Sequence, residues 1–172
     1  RRETLDGEHP DIAASLNSLA VLRQETGQYA AADSLFRAAL ALQETTLGSD
    51  DPAVAVSLHN WGTLLHVQGQ YEQADSLFRR ARTIRTAQFG AADPLTASTL
   101  NEMATVRFDQ DDLEGAETLY RQALDVRRRH FEGDHPEVAA SLNNLAMVLR
   151  HKGQFGEAEA LYQDALAMRE RL

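Results

Sequence analysis

Four side chains able to donate and accept a hydrogen bond recur at one interval: Asn17, His59, Asn101 and Asn143, each 42 residues after the last. An Asn amide offers a donor and an acceptor together, which suits holding a peptide main chain without reading its side chains. The same amide suits bonding a neighbouring copy of the unit and so keeping the copies in register. For Asn17, Asn101 and Asn143 both roles are open, whereas Asn60 and Asn144, one position further on, point to ligand contact.

Beside this set runs a row spaced i, i+4, i+7 and i+11, which is one stripe of a helix. It reads Ala14, Ser18, Val21, Glu25, then Val56, Asn60, Thr63, Val67 in the second copy. Ser98, Glu102, Thr105, Asp109 and Ala140, Asn144, Met147, His151 complete it. Packing keeps copies alike, and this row differs from copy to copy, so specificity belongs here. The row holds no Lys, and Arg150 is the cation near it. With Glu25, Glu102 and Asp109 present, it favours a neutral or basic ligand of mixed polar and apolar character, extended or in a short helix.

Other chemistries lack their residues. His59 and His66 are seven apart, two turns along one helix, and the i, i+4 pair that zinc needs is missing. They read as lining for the ligand face. No Gly-rich phosphate loop, nucleophile elbow or calcium-loop spacing occurs. The acidic groups at Asp50–Asp51 and Asp109–Asp112 fall at helix ends, where they favour the following helix dipole. Trp61 replaces a core Leu and reads as packing, and Arg127–Arg129 reads as cations suiting a helix C-terminus. The chain is expected to be no enzyme, with no catalytic residue, no metal and no cofactor.

The elements that position these residues follow the same period. His9-Pro10, Asp51-Pro52, Asp93-Pro94 and His135-Pro136 mark four copies of one unit. Asp before Pro is an N-cap followed by a first helical position where no donor is lost. Gly27, Gly69 and Gly153 suit the left-handed end of the first helix, and Asp111 stands there in the third copy. The first helix carries the core row Leu16, Leu19, Ala20, matched by Leu58, Trp61, Gly62, by Leu100, Met103, Ala104, and by Leu142, Leu145, Ala146. On the second helix, Ala32, Leu35, Phe36 and Ala39 and their counterparts give the i, i+3, i+4, i+7 face that interlocks with it. Arg82 departs from Leu40, Leu124 and Leu166, which predicts a contact that is solvated or ion-paired. Helices are expected near 10–26, 29–46, 52–68, 71–88, 94–110, 113–131, 136–152 and 155–171. No strand signal competes.

A repeat of this size is a stacked solenoid in which no unit buries its apolar face alone. At 172 residues and 43% hydrophobic the chain can bury a continuous core. One domain over 1–172 is expected, with repeats 13–46, 55–88, 97–130 and 139–172. The net charge of −9 argues against nucleic acid and acidic membranes as partners. No run reaches the ~18 apolar residues of a membrane helix, nothing resembles a secretion signal, and zero cysteines exclude disulfides. A cytoplasmic setting is expected.

The pattern of small residues at Ala20, Ala32 and Ala39, large ones at Leu16, Leu19 and Phe36, and a Gly-x-aromatic turn resembles the tetratricopeptide repeat. The 42-residue period, the HP/DP loop and phrases such as HPEVAASLNNLAMVL and AEALYQDALAMRE resemble its kinesin light chain type. The resemblance implies an all-α, right-handed superhelix whose first helices line a concave groove for peptides. It therefore implies groove contacts for Asn17, Ser18, Val21, His59, Asn60, Thr63, Asn101, Glu102, Thr105, Asn143, Asn144, Met147 and Arg150. Arrays that clamp a C-terminal carboxylate use Lys and Arg on this row, as do grooves for acidic peptides, so neither ligand is expected here.

RRETL at 1–5 aligns with the tail of a second helix, and the chain stops at the end of another. A segment of a longer array is expected, or ends covered by another chain. The favoured function is a protein- or peptide-binding scaffold. The alternatives are a self-associating array stacking end to end through residues such as Leu161, Leu166 and Met168, and a regulatory arm of an enzyme whose catalytic domain lies elsewhere.

Overall fold

The computed structural model describes residues 9–172, so the expected helix tail at 1–5 lies outside the described residues. Eight helices follow one another: α1 Pro10–Glu25, α2 Tyr29–Leu47, α3 Pro52–Val67, α4 Tyr71–Phe89, α5 Pro94–Asp109, α6 Leu113–His130, α7 Pro136–His151 and α8 Phe155–Arg171. No strand occurs among the described residues. The fold is all-α, built of four helix-turn-helix repeats.

Local chemistry sets the boundaries. Asp51 Oδ1 accepts from the Ala53 N–H and Asp93 Oδ1 from the Leu95 N–H, both at 2.8 Å. His9 and His135 fill the same position, their Nδ1 atoms accepting from Asp11 and Glu137 N–H at 3.2 Å. The turn after α5 needs a left-handed residue, and Asp111 supplies it at φ 62° where the other three turns use Gly. That choice costs about 1 kcal/mol relative to Gly.

The helices group into two compact units, one ending at Ile84 and the other beginning at Arg85. In the first, Phe36 is fully buried among Ala20, Ala32 and Leu64, and Leu40, Val54, Leu58, Ala81 and Ile84 form a second cluster. Burying a side chain the size of Phe36 contributes ~1.5–3 kcal/mol. Gly62 is required by contact, since a Cβ there would lie 2.7 Å from the Phe78 ring. In the second unit Tyr120, Leu124, Val138, Leu142, Leu145 and Leu149 pack as one core. Arg82 is exposed and therefore solvated.

The core row departs from expectation in its first copy. Leu142 and Leu145 are each 1% exposed, but Leu19 is 39% exposed and Leu16 half-buried. Leu58 is enclosed by Leu40 of α2 and Ala81 of α4. Among the described residues, no second helix precedes α1 to enclose Leu16 and Leu19 in that way.

Candidate functional site

The variable row remains accessible in both units. On α1 and α3, Ser18, Val56 and Val67 are exposed, while Asn17, Val21, His59, Asn60 and Thr63 are half-buried. On α5 and α7, Asn101, Glu102, Thr105, Asn143, Asn144 and Met147 are half-buried, and Arg150 and His151 exposed. None of the thirteen residues expected at the site is absorbed into the core.

The second unit ties its face together. Asn144 Nδ2 donates to Asn101 Oδ1 at 2.8 Å, and Asn101 Nδ2 in turn to Glu102 Oε1 at 3.4 Å. Thr105 Oγ1 lies 2.8 Å from the Tyr120 hydroxyl. Burial pushes the Tyr120 phenol above its ordinary range, and the nearby carboxylates of Glu102 and Asp109 push it the same way against the Thr105 hydrogen bond. The His151 ring meets Phe108 edge-on at 4.8 Å, and its Nδ1 lies 2.8 Å from the Met147 carbonyl. Sequence comparison marked Asn144 for ligand contact, and here its amide is bonded to Asn101 of the preceding repeat.

The first unit differs at matching positions. Asn17 Oδ1 is shut off from solvent and accepts no hydrogen bond among the described residues, so the bond made by Asn101 and Asn144 has no counterpart between Asn17 and Asn60. The Thr63 and Ser18 hydroxyls bond back to the His59 and Ala14 carbonyls at 3.1 Å each. His59 packs edge-on against Phe78 with centroids 5.6 Å apart. Trp61 does more than pack: its Nε1 donates to Asp33 Oδ1 at 2.9 Å, and Arg37 lies 4.7 Å over its ring. Burial alone would raise the Asp33 carboxyl, but hydrogen bonds from Arg37 and Trp61 and the Arg37 charge outweigh it and hold it low.

A second polar row was missed on sequence grounds. Arg127 is 8% exposed, its guanidinium donating to Ser141 Oγ at 2.7 Å and lying 3.1 Å from Glu137. Arg127 holds its expected place in the last turn of α6, and its enclosed guanidinium also joins the tail of α6 to the start of α7. Arg85, one repeat earlier, donates to Thr99 Oγ1 at 2.7 Å and the Leu95 carbonyl at 2.9 Å. Burial lowers the Arg85 guanidinium from its usual range, and the Asp93 carboxylate partly restores it. The signal was present in sequence as Ser57, Thr99 and Ser141, a hydroxyl in an apolar stretch every 42 residues.

Lysine is absent from the face, and Lys152, just past α7, is turned to α6, its Nζ 2.8 Å from Glu117 and 3.2 Å from Glu114. Among the described residues no three His, Asp or Glu side chains gather as a metal site. No described helix is long and apolar enough to cross a membrane.

The chain matches a family model described as the tetratricopeptide repeat in three overlapping stretches, 11–87, 53–129 and 95–171. No curated protein matches it. Among solved structures it is similar to BtubC (BKLC) from P. vanneervenii, with 22% identity, 98% of this chain and 68% of that one covered, and a TM-score of 0.90. It is also similar to the nearly identical TPR-like repeats of a kinesin light chain-like protein of Podosopora anserina, at 27% identity over 98% of this chain and 80% of the other, with a TM-score of 0.79. The apo form of RapI is similar at 12% identity over 98% of this chain and 45% of that chain, with a TM-score of 0.82.

Proposed function

Since the chain belongs to the tetratricopeptide repeat family, and to its kinesin light chain-like kind, we propose that it is a protein-binding scaffold holding a peptide segment on its first helices. The faces concerned are α1 with α3 and α5 with α7. The observation that carries this reading is the accessible, copy-to-copy variable row, which packing leaves outside the core on all four first helices. The fold is in general a non-catalytic scaffold, and nothing on the row favours a nucleophile or an acid–base pair.

The ligand is a peptide of mixed polar and apolar character, neutral or basic rather than acidic, because Glu25, Glu102 and Asp109 outnumber Arg150 on and beside the row. The test is selection of a random 12-residue phage-displayed library, followed by anisotropy of the enriched peptide with variant chains. Val56→Glu and Met147→Glu should abolish or sharply weaken binding, while Ser34→Glu, on the exposed side of α2, leaves it intact. Loss through Ser34→Glu alone would move the binding surface to the second helices.

A further inference from the structure

One polar joint between successive repeats recurs inside the molecule, and each half of it also stands alone elsewhere in the chain. Arg127 of α6 donates to Ser141 Oγ at 2.7 Å and lies 3.1 Å from Glu137, and Arg85 of α4 donates to Thr99 Oγ1 at 2.7 Å. One period after Arg127 comes Arg169 of α8. Ser15 of α1 holds the place of Thr99 and Ser141, with Asp11 where α7 has Glu137. Arg169 is exposed and has no hydrogen-bond or ion-pair partner among the described residues, whereas Arg171 beside it is committed to Asp134 at 2.6 Å. Ser15 Oγ donates to the Asp11 carbonyl at 2.8 Å, as Thr99 Oγ1 does to the Leu95 carbonyl at 3.1 Å. Its oxygen is therefore left to accept, which is the role Thr99 plays toward Arg85. The Asp11 side chain is 79% exposed and lies 3.5 Å from the His9 ring.

Apolar surface follows the same register. Leu124 packs with Val138, Leu142 and Leu145, and Leu40 with Val54 and Leu58. The matching residues are Leu166 on α8, 59% exposed, and Ile12, Leu16 and Leu19 on α1. Together with Asp11 and Ser15, those three line an open hollow of about 240 Å³.

We propose that this face of α1 is a docking surface for a second copy of the chain, which seats the end of its α8 there. Leu166 of that copy lies against Ile12, Leu16 and Leu19, and its Arg169 guanidinium bonds Ser15 Oγ and pairs with Asp11. The occupant is a second copy because its α8 presents, in the register of the internal joints, an unpaired cation for Asp11, a donor for Ser15 and an exposed Leu for the hollow. The contact is heterologous, so a pair keeps one α1 face and one α8 open and further copies add end to end. It uses residues off the variable row, so its failure leaves the scaffold reading untouched, and the reverse.

The test is sedimentation equilibrium of the full chain in about 0.15 M salt, which screens the repulsion between chains of net charge −9. The mean mass should climb from 19.0 kDa as concentration rises from micromolar to millimolar. Arg169→Gln should weaken the association about tenfold. Leu19→Glu, which blocks α1, and Leu166→Glu, which blocks α8, should each hold the chain at 19.0 kDa. Their equimolar mixture should nevertheless form pairs of twice that mass, since each variant supplies the face that the other lacks. Both substituted residues are exposed, at 39% and 59%, and unchanged far-UV dichroism separates blocked association from unfolding. A mass constant at 19.0 kDa throughout would overturn the proposal, leaving residues 1–8, where Arg1 shares the register, as the occupant of the face. A mixture that fails to pair, or association by either variant alone, would overturn it as well.

Discussion

Gln43 and Arg127 occupy the same register in the two units, near the end of α2 and of α6, yet they join the next helix differently. Arg127 reaches Ser141 at 2.7 Å and Glu137 at 3.1 Å. Gln43 is as well buried, at 4% exposure, but its Oε1 has no hydrogen-bond partner among the described residues, nor has Ser57 Oγ, the counterpart of Ser141. The Asn pairs repeat the contrast, bonded in the second unit and unbonded in the first. Apolar packing is shared by both units and supports the fold in each. The polar joints are not shared, and the first unit leaves Asn17 Oδ1, Gln43 Oε1 and Ser57 Oγ enclosed without a hydrogen-bond partner among the described residues.

The largest effect is expected from cutting the stronger joint. Arg127→Met should destabilise the chain by about 2–3 kcal/mol in urea unfolding, because Ser141 is left buried without its donor. Little change would erase the distinction between the units. Next comes Gly62→Ala, which places a Cβ 2.7 Å from Phe78 and should cost about 1–3 kcal/mol by overpacking. Ala104→Gly at the same register in the second unit should cost about 1–2 kcal/mol, from helix propensity and the loss of a buried methyl, with no clash.

Two smaller changes sharpen the contrast from opposite sides. Gln43→Arg should add about 1 kcal/mol by donating to Ser57 as Arg127 does to Ser141, read as slower amide exchange at the start of α3. Asn144→Ala should cost about 1 kcal/mol, whereas Asn17→Ala should cost nothing or stabilise slightly, since it removes an enclosed acceptor with no partner.

The smallest effect concerns acid. Hydrogen bonding from Lys152 holds the Glu117 carboxyl below the ordinary Glu range, with Arg121 acting the same way against the opposing effect of burial. A lowered folded-state pKa means the unfolded chain binds more protons, so this stabilisation is present above about pH 4.3 and is lost as pH falls below it. Thermal melts of Glu117→Gln should show a shallower acid limb than the unaltered chain.

Much of this was legible because packing writes itself periodically into sequence. The HP and DP dipeptides, the turn glycines and the small–large alternation place all eight helices to within about one residue at either end. What escaped depends on contact between copies. Asn101 and the residue after Asn143 are neighbours in register within one copy, and that they bond across two copies follows only from how α5 and α7 lie together. Arg127 at a helix C-terminus has the composition of a dipole-favouring surface cation, and sequence alone does not say that its stem is enclosed. Leu19 matches Leu145 as a letter, but its exposure is set by what lies against α1.

The central claim is that a ligand lies on the first helices, and photo-crosslinking tests it most directly. The selected peptide, carrying a diazirine at its centre, would be irradiated with the chain and the adducts mapped by mass spectrometry. Labelling at Val56, Asn60 and Val67 of α3, with weaker labelling on α1, is the expected result. Adducts confined to the exposed sides of α2 and α4 would contradict it.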